Sequence, residues 1–119
     1  MRYSVAGDMF EDAYPSDCDV HLLANVLHDW NESNVRTLIA RSFAALRSGG
    51  LLISYDAHLN SDKTGPLPVA EYSAFLMHST LGHCYSVDEI KLYMSEVGFQ
   101  NFSFADVACS RSVVLGYKP

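Results

Sequence analysis

Val20-His21-Leu22-Leu23-Ala24-Asn25-Val26-Leu27-His28-Asp29-Trp30 is an apolar run that stops abruptly at a histidine, an aspartate and a tryptophan. Its first eight residues are mostly branched or apolar. They lie between the polar cluster Pro15-Ser16-Asp17-Cys18-Asp19 and a helix-start signal, Asn31-Glu32-Ser33. Such a run suits a central strand over 20–27, buried on both faces of a parallel sheet. His28, Asp29 and Trp30 then fall at the carboxyl end of that strand, where open α/β sheets bind their ligands. Imidazole, with an ordinary pKa of about 6.5, suits proton transfer near neutral pH, so His28 is placed and chemically fitted to act as a general base. For an isolated His-Asp pair there is a plainer competing reading: both residues cap the next helix and bond loop backbone.

Working outward, Asn31-Glu32-Ser33 opens a helix whose apolar positions Val35, Leu38, Ile39, Phe43 and Leu46 follow helical spacing, with Gly49-Gly50 as its stop. Leu51-Leu52-Ile53-Ser54-Tyr55-Asp56 reads as a second buried strand. Strand, helix and strand together favour a right-handed crossover and parallel pairing, which sets Asp56 at the same sheet edge as His28. On the amino-terminal side, Arg2 to Ala6 reads as a short strand ended by Gly7-Asp8-Met9-Phe10, and the acidic, proline-containing Glu11 to Asp19 reads as a loop. On the carboxyl side, His58 to Pro68 is irregular and Val69 to Leu81 is a helix more apolar than an exposed one needs to be. Ser86-Val87-Asp88-Glu89 is a capping box opening a helix that ends at Gly98. Phe102 to Val107 and Ser112 to Gly116 form a hairpin about Cys109-Ser110-Arg111. The fold class is α/β, with parallel central strands, flanking helices and a carboxyl-terminal antiparallel hairpin.

With 119 residues the chain is one small domain with a single core. A net charge of -6 argues against binding nucleic acid or an anionic membrane, both of which need basic stripes. No apolar run approaches the roughly 20 residues that span a bilayer. Met1-Arg2-Tyr3-Ser4-Val5 carries no secretory pattern, so a cytoplasmic location is expected. Cys18, Cys84 and Cys109 are odd in number and widely spaced, which suggests reduced thiols. His78, His83 and Cys84 fit no closed zinc pattern, and no metal is expected.

Four segments, in order, resemble the catalytic domain of the S-adenosylmethionine-dependent small-molecule O-methyltransferases of the caffeic-acid and bacterial antibiotic-pathway type. Gly7-Asp8-Met9-Phe10 resembles that family's GDMF segment and Val26-Leu27-His28-Asp29-Trp30 its VLHDW segment. Arg47-Ser48-Gly49-Gly50-Leu51-Leu52-Ile53 is similar to its PGG-then-strand segment, and Glu96-Val97-Gly98-Phe99 to its AGF helix end. The resemblance implies S-adenosylmethionine as cofactor and a small, aromatic or polyketide-like hydroxyl compound as acceptor. His28 would be the base, with Asp56 as the acidic residue that orients its ring. Asp8 and Met9 would contact the adenine, with Trp30 nearby. Asp29 and Tyr72 are candidate acceptor contacts together with Met77, core packing being the competing reading for the latter two.

The departures are as informative. The family's glycine-rich strand-to-helix turn and the ribose-binding acid after the next strand do not occur in these 119 residues. The resemblance begins at the family's third strand. It therefore implies that residues 1–119 form a single domain equivalent to the carboxyl-terminal part of a class I methyltransferase catalytic domain, without the cofactor-binding glycine half or the dimerisation domain. Cys84 and Tyr85 stand where many relatives have glutamate and arginine, and Ala24 and Asn25 where plant-type sites place a lysine. Two functions follow as expectations: the acceptor-side half of an O-methyltransferase, or a catalytically inactive remnant acting as a folded interaction or dimerisation module. Without the family's first two strands, one edge of the His28 strand is exposed. Either self-association as a homo-oligomer, pairing with a complementing chain, or repositioning of the amino-terminal segment is expected to cover it.

Overall fold

A computed structural model describes residues 4–119. Its sheet contains β1 (Val20–Ala24), β2 (Leu51–Asp56), β3 (Gln100–Asp106) and β4 (Ser112–Tyr117), in the spatial order β1-β2-β4-β3. The helices are α1 (Glu32–Ala45), α2 (Leu67–Ser79) and α3 (Val87–Val97). β1 and β2 are parallel, with Leu22 opposite Ile53, and α1 makes the crossover between them. β4 runs antiparallel to both β2 and β3, so the carboxyl-terminal hairpin adds to the sheet through its second strand. The sheet is thus mixed, as a strand-helix-strand unit extended by a hairpin must be.

Local chemistry explains the helix ends. The Asn31 side chain accepts the Asn34 N–H at 3.0 Å and so caps α1. Ser86 Oγ accepts the Glu89 N–H at 3.1 Å while the Glu89 carboxylate accepts the Ser86 N–H at 3.0 Å, the reciprocal pair of a capping box. Gly98, with φ 118°, closes α3 in the left-handed conformation.

One face of the sheet holds the core. Leu52 of β2 and Val114 of β4 are fully buried there beneath Leu38 and Ile39 of α1, Ile90 and Met94 of α3, and Phe99. Burying an aliphatic side chain of this size contributes about 1.5–3 kcal/mol relative to exposure, so this layer dominates stability. Alternation along the strands sends Val20, Leu22 and Ile53 to the other face, where Val20 and Leu22 remain 52% and 59% exposed.

Several expectations are corrected. The strand expected over 20–27 stops at Ala24, because Asn25 takes a left-handed φ of 54°. It is an edge strand, not a central one buried on both faces, since among the described residues only β2 pairs with it and its outer face lacks a covering layer. The strand expected over Arg2 to Ala6 is not seen at Ser4 to Ala6, which lie in no regular element; Arg2 and Tyr3 lie outside the described residues. Helix α1 ends before Gly49-Gly50, with the extended Leu46 as its cap, and Gly49 (φ 82°) instead turns the chain into β2. Among the described residues no helix is long and apolar enough to cross a membrane.

Candidate functional site

The break at Asn25 creates the site. Its N–H still donates to the Tyr55 carbonyl at 2.8 Å, as the last rung beside β2, and the chain then winds into a short 3-10 turn at Leu27–Asp29. The turn sinks Leu27 into the core and leaves His28 buried, 5% exposed. Two neighbours brace it. Tyr85 Oη donates to the Trp30 carbonyl at 2.7 Å. Gly82 lies flat against the turn, where a Cβ would come within 2.1 Å of the His28 carbonyl oxygen. Only glycine permits that approach.

His28 meets Asp56 at the carboxyl end of β2. Nδ1 lies 2.5 Å from Asp56 Oδ1, which also accepts the Ala57 N–H at 2.8 Å. A carboxylate accepts, so Nδ1 carries the proton and Nε2 is left as the basic nitrogen. Asp29 Oδ1 stands 3.3 Å from Nε2, on a side chain 46% exposed. The hydrogen bond to Asp56 raises the His28 pKa above its ordinary value; burial opposes this, the charges of Asp56 and Asp29 reinforce it, and the Arg111 cation opposes it. The Tyr72 ring meets His28 edge-on at 5.6 Å, bringing α2 to the site.

A second set of residues adjoins this turn. Asp8 Oδ1 accepts the Phe10 N–H at 2.8 Å, folding residues 8–10 into a tight corner, and Phe10 packs edge-on against Trp30 at 4.9 Å. The Met9 carbonyl accepts from Tyr14 Oη at 2.7 Å and from Arg41 Nε at 3.0 Å, which ties the corner to α1. Asp8 and Met9 line a cleft of about 220 Å³. Asp8 is exposed, while Met9 and Trp30 are half-buried.

The structure therefore brings together His28, Asp29, Asp56 and Tyr72; Trp30 follows His28 by two residues and touches the Asp8–Phe10 corner through Phe10, while Asp8 and Met9 line a cleft that contains none of these residues. Met77 is not drawn in: it is 65% exposed, while the inward side of α2 is made by Val69, Ser73 and Leu76. Cys84 is buried, and its N–H donates to Ser73 Oγ at 2.9 Å. Burial, reinforced by the Asp56 charge, pushes its thiol up to about 11, so it remains protonated at neutral pH. Among the described residues no three His, Cys, Asp or Glu side chains gather as a metal site requires.

Three features escape a sequence reading. Gly82 carries no signal beyond being a glycine in a loop. Arg111, read only as part of a hairpin turn, donates through Nε to Asn25 Oδ1 at 3.1 Å and lies over the Tyr72 ring at 5.1 Å. His58 is buried, with Nδ1 2.8 Å from Ser112 Oγ; burial lowers its pKa, and it borders a separate cleft of about 390 Å³ together with Val69, Lys91 and Phe104.

Comparison with known proteins supplies the family. Residues 3–100 match the O-methyltransferase domain family. Acetylserotonin O-methyltransferase of Bos taurus is 34% identical over 106 residues, covering 89% of this chain and 29% of that protein. The 3-hydroxy-5-methyl-1-naphthoate 3-O-methyltransferase of Streptomyces sahachiroi is 35% identical over 95 residues, covering 80% of this chain and 28% of that protein. The crystal structure of human N-acetylserotonin methyltransferase in complex with S-adenosylmethionine superposes with a TM-score of 0.89 at 29% identity, over 94% of this chain and 32% of that one. The chain thus spans about a third of the length of these relatives. A match over most of its residues, in sequence and in backbone, establishes that the chain belongs to the O-methyltransferase family.

Proposed function

We propose that the chain carries the acceptor side of an S-adenosylmethionine-dependent O-methyltransferase site, with His28 as general base. The observation that carries this reading is the buried His28–Asp56 pair, which fixes the Nδ1-protonated ring and leaves Nε2 basic. When bound, S-adenosylmethionine supplies an electrophilic methyl group on a positively charged sulfur. His28 Nε2 accepts the proton of an acceptor hydroxyl and leaves the oxygen nucleophilic. Asp56 holds the ring through Nδ1 and stabilises the imidazolium that results. Asp29 lies where the hydroxyl approaches, and Tyr72 supplies an aromatic wall.

The residues present fit the adenine part of the cofactor. Asp8 uses one carboxylate oxygen in its own corner and keeps its side chain at an open cleft, while Met9 and Trp30 offer half-buried apolar surface. These three would hold the adenine. The remaining contacts, to ribose and amino acid, would come from polypeptide outside these 119 residues, and the chain would be the carboxyl-terminal part of a class I methyltransferase catalytic domain. By analogy with the relatives, whose names include a naphthoate and acetylserotonin, the acceptor would be a small aromatic hydroxyl compound.

The second reading, an inactive interaction module, is favoured by the uncovered sheet face at Val20 and Leu22. Methyl transfer to a panel of phenols separates the two. It is assayed with the chain alone and with the amino-terminal two-thirds of the Streptomyces relative added. Turnover that falls about 10²–10⁴-fold in His28→Ala is expected of a general base. Turnover undiminished by that substitution, or absent from the wild type in both assays, contradicts the proposal.

A further inference from the structure

Arg111 stands at the mouth of the site from an element that the base does not belong to. It lies in the hairpin turn immediately before β4 and reaches past β2 to Asn25, the residue just after β1. Three observations define its place. Nε is used by Asn25 Oδ1 at 3.1 Å, which orients the guanidinium and leaves its two terminal nitrogens to other partners. The guanidinium lies over the Tyr72 ring, whose edge meets His28. Its charge acts on both His28 and Cys84, so it shares their surroundings.

Among the described residues, no carboxylate forms an ion pair with Arg111; Arg41, Lys91 and Lys118 likewise have none, but Arg41 and Lys118 are taken up by backbone carbonyls, whereas the terminal nitrogens of Arg111 have no partner. Of the acids nearest to the base, Asp56 is taken up by His28 and the Ala57 N–H, while Asp29 stands 3.3 Å from Nε2 and pairs with the ring only when that nitrogen is protonated. A planar cation, held by one nitrogen and backed by an aromatic face, presents its remaining N–H groups in the fork that matches a carboxylate.

We propose that Arg111 is a specificity-determining residue that pairs with a carboxylate on the acceptor, so that the preferred acceptors are hydroxyaryl carboxylic acids. The inference rests on the reading of His28 as the base, because it places the anion one aromatic ring away from the proton-accepting nitrogen. Tyr72 lies between the two and would stack against or flank the acceptor ring. Asp29 disfavours an anion at Nε2 itself, which orients the molecule with its hydroxyl toward His28 and its carboxylate toward Arg111.

The test compares 3-hydroxy-2-naphthoate with its primary amide, which keeps the shape and removes the charge. Binding to the wild-type chain, Arg111→Gln and Arg111→Lys is measured by calorimetry and by amide NMR shifts. The acid should bind about tenfold tighter than the amide in the wild type, corresponding to about 1.4 kcal/mol. The preference should vanish in Arg111→Gln, persist in part in Arg111→Lys, and weaken with salt in the wild type. Equal affinity for acid and amide, binding of neither, or a preference that survives Arg111→Gln overturns the proposal. S-adenosylhomocysteine, titrated into the same proteins, tests the other carboxylate, that of the cofactor: weakening of that ligand alone by Arg111→Gln assigns the cation to the cofactor and also overturns the proposal. Acid preference without any cofactor binding would instead uphold Arg111 and remove the methyltransferase reading.

Discussion

At the scale of single residues, the site depends on how His28 is held. Its native pKa lies above the ordinary 6.5 because the Asp56 hydrogen bond and the surrounding carboxylates outweigh burial and Arg111. The sign of the linkage follows: the pair's contribution to stability is complete below the unfolded value of about 6.5 and is lost as pH rises through the native value. An NMR titration of the His28 ring should therefore give a midpoint above 6.5 in the wild type and a lower one in Asp56→Asn, whose neutral amide keeps the shape but loses the charge. A wild-type midpoint at or below 6.5 would mean that the pair does not hold the proton as argued. On the proposed role of His28 as general base, the same shift predicts that the basic form of the ring, and a rate that depends on it, would grow with pH through that midpoint. His28 and Asp56 were legible in the sequence because each follows an apolar run that marks the end of a strand. Arg111 was not, since its partner Asn25 lies 86 positions away and nothing local announces a long-range hydrogen bond.

Among the elements, those specified by neighbouring residues were read correctly. The Asn31 cap and the Ser86–Glu89 box join side chains to backbone N–H groups three residues away, so α1 and α3 start where expected. The strand-helix-strand unit and the hairpin also stand, because hydrophobic periodicity and the turn at Cys109-Ser110-Arg111 are local signals. β1 was misjudged for a reason of the opposite kind. An apolar run records what a strand is suited to touch, and whether a covering layer is present depends on other polypeptide. Among the described residues its outer edge is unpaired and Val20 and Leu22 are exposed, and we propose that a second copy of the chain pairs there. Sedimentation at rising concentration should show self-association of the wild type, weakened by about tenfold or more in Leu22→Lys, because a lysine on an edge strand opposes pairing. A wild-type chain that stays monomeric at high concentration contradicts this.

For the whole molecule, a third of the length of the relatives still forms a main core between α1, α3 and one face of the sheet; the single core expected from the sequence is joined by a second buried cluster of Ala57, Leu59, Val69, Leu76 and Cys84 at α2. The main core supports the turn that carries His28, the proposed base, while the cleft at Asp8 and Met9 would offer the cofactor only its adenine contacts. Calorimetric titration of the 119-residue chain with S-adenosylhomocysteine tests this division of labour most directly. Saturable but weak binding is expected, in the roughly submillimolar to millimolar range, further weakened by Asp8→Ala and unaffected by Leu22→Lys. No binding at millimolar ligand, or binding that Asp8→Ala leaves unchanged, would contradict it.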